Sequence, residues 1–134
     1  CLEPVRKHFE PLLRTYDATL VFSGHAHLYD HFYVPDDGHD TRTDRATTQY
    51  VHDGTSIHYI VTGGGGGPLN RGNWVKDHSY RYFQARKCAY HITHVAVNGP
   101  QLEITINAVS GSAESHAVNT IDHFSIAPPH NRNQ

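Results

Sequence analysis

The hydrophobic pattern of this chain opens with helical spacing and then turns to the alternation of strands. Val5, Phe9, Leu12, Leu13 and Tyr16 recur at i, i+4, i+7, i+8 and i+11, which predicts an amphipathic helix. Arg6, Lys7, Glu10 and Arg14 fall on the other side, the expected solvated face. Pro11 stands inside the pattern, where it removes a backbone donor and is expected to kink the helix or restart it. Residues 18–22 form a short apolar run with the length of a buried strand. A helix feeding such a strand through a short connection is half of a βαβ unit, which predicts parallel pairing here.

Beyond this point β-type patterns dominate. Residues 29–34 read as a strand with His31 and Tyr33 on one face, and residues 35–46 as an exposed, charged loop. Residues 47–52 and 57–62 are strand-like, and Asp53-Gly54 between them is a hairpin signal. Tyr80, Tyr82 and Phe83 mark a short strand or ordered turn. Residues 89–97 and 102–109 flank Asn98-Gly99-Pro100 as the clearest hairpin, with Ile92, Val95 and Val97 expected to pack against Leu102, Ile104 and Ile106. His91 and His94 are expected to decorate these strands, and residues 118–126 give a last strand before a frayed tail at 127–134.

The 134 residues fit one domain, and 37% hydrophobic with 18% charged residues is polar without being of disordered composition. A net charge of −2 gives no electrostatic case for nucleic acid or an anionic membrane, and no apolar stretch approaches a membrane span. Thirteen histidines make the net charge swing strongly positive between pH 7 and 5. Cys1 and Cys88 form no metal motif and are either a disulfide or two separate thiols. The chain has no Met, and Cys1 leads straight into the helical pattern, as expected of a mature or excised piece of a longer chain.

The chemistry concentrates where the strand at 18–22 ends, at Ser23-Gly24-His25-Ala26-His27. Ligand sites in open α/β sheets gather past the carboxyl ends of strands, and Gly24 permits a sharp exit there. A His-x-His pair at that place can offer two imidazoles to one metal, or one to each of two metals. The five glycines at 63–67 invite a phosphate-loop reading, but Pro68-Leu69-Asn70 stands where Gly-Lys-Ser/Thr would be needed. Close backbone approach or a positive-φ turn is the better reading. Trp74 reads as a local core plug in preference to a stacking platform. Asp36-Asp37-Gly38-His39-Asp40 lacks the spacing and terminal Glu of a calcium loop.

Gly24-His25-x-His27, after an apolar strand and before Leu28-Tyr29, resembles the last signature of the calcineurin-like metallophosphoesterases. The spacing to Tyr29 is most similar to the purple acid phosphatase branch, whose Tyr-Glu-Arg is replaced here by Tyr29-Asp30-His31. The resemblance implies an α/β fold of α+β character in this half. The chain would be the C-terminal half of a four-layer sandwich, one N-terminal helix and a β-rich remainder, spanning residues 1–126 before the tail. It implies a hydrolase acting on phosphate mono- or diesters at a dinuclear centre of Fe, Zn or Mn, with His25 and His27 each ligating one metal. Tyr29, His31, Gly64 and Gly65 become candidates for the substrate cleft, with the glycine run as its wall.

The family's Asp-x-His, Gly-Asp-x-x-Asp and Gly-Asn-His-Asp/Glu blocks do not occur in the 23 residues before Gly24. Asp30 is the acidic residue nearest the pair, but nothing in the chain has the spacing of a bridging carboxylate. The implied partner is therefore the N-terminal half of the same protein, besides a phosphorylated substrate, and the piece alone is expected to be inactive. The compartment stays open, with a lean to secreted, periplasmic or lysosome-like. The rival reading is a non-catalytic β-rich module holding one metal through His25, His27 and His31.

Overall fold

The computed structural model describes residues 3–35, 49–51, 56–71 and 82–127. Asp36, Asp37, Asp40, Asp44, Asp53, Trp74, Cys1 and nearly all of the expected tail lie outside them. Helix α1 (Glu3–Thr15) leads into strand β1 (Leu20–Ser23), followed by β2 (Tyr29–Val34), β3 (Gln49–Val51), β4 (Ile57–Thr62) and β5 (Phe83–Lys87). Strands β6 (His91–Asn98), β7 (Gln101–Gly111) and β8 (His116–Ala127) complete the chain.

The eight strands form two four-stranded sheets, ordered β1-β4-β2-β5 and β3-β8-β7-β6. The expected parallel pairing is present where β1 runs alongside β4, with Leu20 opposite His58 and Ser23 opposite Val61. The expected 98–100 turn joins β6 to β7, with Gly99 at a φ of 57°. Alternation places Val95 opposite Ile104 and Val97 opposite Leu102. Only Val95 is half-buried there: Val97, beside the turn, is 70% exposed, and Ile92, of opposite parity from Val95, faces outward at 64% exposure, so neither joins that core as expected. Tyr29, Tyr50, Ile60, Ile104, Ile106, Phe124 and Ile126 fill the space between the sheets.

Three expectations change. The segments at 47–52 and 57–62 are no hairpin: β3 pairs in parallel with β8, whereas β4 lies between β1 and β2 in the other sheet. Helix α1 runs through Pro11 without interruption, and the Thr15 hydroxyl donates to the Pro11 carbonyl at 2.8 Å. The faces of α1 are turned from those expected, although Leu13 is half-buried and Lys7 exposed. Arg14 pairs with Glu10 at 2.8 Å and reaches the Pro35 carbonyl, so the charged side leans on the chain. Phe9, Leu12 and Tyr16 stand in solvent at 59%, 55% and 81% exposure.

Candidate metal centre

Strand β1 ends at Ser23, and the chain turns back into β2 over Gly24 to Leu28. Two successive tight turns make that reversal. The Ala26 N–H donates to the Gly24 carbonyl at 2.9 Å, and the Leu28 N–H donates to the Ala26 carbonyl at 2.8 Å. Each is a three-residue γ-turn, the first centred on His25 and the second on His27. His25 has a φ of 72°, the positive form that is rare and strained for a residue with a Cβ. Strain of this kind, about 1–3 kcal/mol, is held by the surrounding structure and collects at functional sites. His25 is exposed.

His27 is held from the glycine loop. Its Nδ1 lies 2.7 Å from the Pro68 carbonyl oxygen, which only accepts, so Nδ1 carries the proton. That leaves the Nε2 lone pair free to bind, the arrangement in which a metal-ligating histidine gives its other N–H to a carbonyl. Asn70 brackets the backbone of the same residue, its Oδ1 accepting from the His27 N–H and its own N–H donating to the His27 carbonyl at 3.1 Å. A Cβ on Gly67 would lie 2.5 Å from Cε1 of the His27 ring, and one on Gly63 only 2.0 Å from the Ala26 carbonyl oxygen. The glycine run thus packs its backbone against the two turns. Neither Pro68 nor Asn70 stood out in the sequence as a support for His27, because only the folded loop brings them 41 and 43 residues back to it.

The remaining candidates are placed elsewhere. Tyr29 and His31 were expected in a substrate cleft, yet at 0% and 2% exposure both lie in the core between the sheets. The reason is parity: both project from the face of β2 that meets the second sheet, and Phe124 stacks on His31 at 4.2 Å. The Tyr29 hydroxyl donates to Asp122 Oδ2 at 2.5 Å. Burial pushes the Tyr29 hydroxyl well above its ordinary range, and the facing Asp122 carboxylate adds to this. Burial alone would raise the Asp122 carboxyl as well. His31, the Tyr29 hydroxyl and the His123 N–H outweigh it and hold the group below the usual carboxylate range.

Gly64 is buried against His91, while Gly65 is exposed and forms part of a shallow groove of about 210 Å³ with Gly66, Tyr90, Ile92 and Val109. His91, expected to decorate its strand, is 5% exposed and bridges the Thr62 hydroxyl and the Ala89 carbonyl. Asp30 is committed to a buried bidentate pair with Arg86, at 2.5 and 2.7 Å, on the opposite face of β2 from His31. Among the described residues, no group of three or more His, Cys, Asp or Glu side chains is placed to hold a metal ion. The donor set at the turn is therefore two imidazoles. Their chemistry fits the histidine share of a transition-metal site and leaves the anionic share to other residues.

This is a two-sheet sandwich with a histidine turn at a strand exit. The chain is similar in structure to the purple acid phosphatase PPD1 from yellow lupin (Lupinus luteus) seeds, with a TM-score of 0.61 and 17% identity over 91% of this chain. The matched region is 20% of the lupin chain, so this chain spans about a fifth of that structure. No protein-family model and no curated protein matches the sequence.

Proposed function

We propose that this chain is the C-terminal part of a metal-dependent phosphoesterase, with His25 and His27 each giving one imidazole to a dinuclear centre of Fe, Zn or Mn. The observation that carries the reading is the pair of γ-turns at the exit of β1. There His25 is strained, and His27 is fixed with Nδ1–H on Pro68 so that Nε2 is the free donor. The likeness of the whole sandwich to a purple acid phosphatase supports it. When bound, the metals would lower the pKa of a water and neutralise charge on the phosphate oxygens. The chain's own task is to hold two neutral imidazoles on short, backbone-braced turns that do not move with their side chains.

Carboxylate ligands would come from the N-terminal half of the same protein. The apolar side of α1 supports this, since Phe9, Leu12 and Tyr16 face away from the rest of the chain. So does the position of β1 at the edge of its sheet. The rival with one metal on His25, His27 and His31 loses its third ligand, because His31 faces the core and bonds His58. The test is hydrolysis of an aryl phosphate by the complete protein after metal loading. His27→Ala should lower kcat/KM by at least about a hundredfold; activity unchanged in both His25→Ala and His27→Ala would overturn the reading.

A further inference from the structure

The site leaves unused a polar cluster that the sandwich encloses. His31 on β2 and His58 on β4 are each 2% exposed, and His31 Nε2 lies 3.0 Å from His58 Nδ1. Both rings lie flat against Phe124 of β8, at 4.2 and 5.3 Å between centroids. The polar groups around them can be named element by element. Asp122 on β8 approaches His31 Nδ1 at 3.8 Å. Tyr33 on β2 and Tyr50 on β3 lie against His58, and Tyr29, whose ring meets His91 of β6, holds the far side of Asp122. Strand β5 places Ala85 beside His31, and β7 supplies Ile104 and Ile106 to the core. The Asp30–Arg86 pair sits on the opposite face of the sheet.

We propose that His31 and His58, neighbours on one sheet that face Phe124 and Asp122 of the other, form an acid-sensitive latch at the seam of the sandwich, which accepts one proton and is sprung by a second. The number of hydrogens available to the shared bond is the same for either tautomer. Two neutral imidazoles carry two N–H groups, one of which fills the shared bond. A first added proton leaves the shared bond intact and places positive charge near Asp122, which is held ionised. A second proton would put an N–H on both His31 Nε2 and His58 Nδ1, which cannot face each other at 3.0 Å. Two adjacent cations would also be buried against Phe124.

The sign follows from proton balance. Below about pH 6.5 an unfolded chain protonates both histidines, whereas the folded pair holds one. The unfolded state then binds one more proton, so the latch contributes stability above that pH and loses it as the pH falls. One proton is worth about tenfold in the unfolding constant per pH unit. The inference does not depend on any metal at His25 and His27.

Side-chain ¹⁵N NMR of the histidines and urea unfolding, both from pH 7.5 to 5, test it. The expected results are a single proton taken up by the His31–His58 pair while the fold persists, and a stability slope that flattens by about tenfold per pH unit in His58→Gln. Separate titration of both rings near their ordinary values with the fold intact would overturn the latch, as would an unchanged slope in His58→Gln. The NMR result decides the matter even where the variant fails to fold.

Discussion

At the scale of single residues, the candidate centre rests on one strained histidine and one braced one. Replacing His25 by glycine removes the Cβ that opposes a φ of 72°, so His25→Gly should raise stability by about 1 kcal/mol while weakening metal binding. Thermal unfolding and a metal titration of the same variant check both halves of that statement. A merely structural residue would not move them in opposite directions. Tyr29→Phe removes a hydrogen bond to a carboxylate and should cost about 2 kcal/mol at pH 7. The folded Asp122 carboxyl lies below its unfolded value, so its contribution is complete above about pH 4 and is lost as the pH falls further. The stability gap between the protein and Asp122→Asn should therefore be present at pH 7 and shrink below pH 4, as read by urea unfolding.

At the scale of elements, alternation and the Asn98-Gly99-Pro100 turn made β6, β7 and β8 legible in the sequence. Strand β5 was legible only at its first residue, where Tyr80, Tyr82 and Phe83 mark a short strand or turn. Its Phe83-Gln84-Ala85-Arg86-Lys87 run buries Arg86, and only the fold reveals that Asp30 answers it at 2.5 Å. Arg86→Met leaves the Asp30 carboxylate buried and unpaired and should cost about 4 kcal/mol. Asp30→Leu with Arg86→Met should recover much of that loss in chemical unfolding, because no charge is then stranded. Pattern also named an apolar face for α1 correctly as a stripe but said nothing of where it would point. Arg14 finds Glu10 and the Pro35 carbonyl, so that pair leans inward with Leu13 while Phe9, Leu12 and Tyr16 point outward. The His-x-His turn could be read because two ligand-type residues stand together at a strand exit. Its supports could not, since Pro68 and Asn70 reach it only through the glycine loop.

At the scale of the whole molecule, two packed sheets carry the histidine turn, and a solved structure with a similar fold is a phosphatase of which this chain covers a fifth. On the proposed reading, two imidazoles without carboxylates cannot hold two cations in a reactive arrangement. The 134-residue chain alone should thus give no turnover of an aryl phosphate with added Mn²⁺, Zn²⁺ or Fe, and turnover that His25→Ala abolishes would contradict this. Covering the outward stripe of α1 should accompany joining to the N-terminal half, and hydrogen exchange over residues 3–15 should slow in the complete protein. The most direct measurement is the metal content of the complete protein by elemental analysis, beside that of His25→Ala and His27→Ala. The account predicts two metal ions per molecule, with one or none in each variant. Full metal occupancy retained in both variants would contradict it.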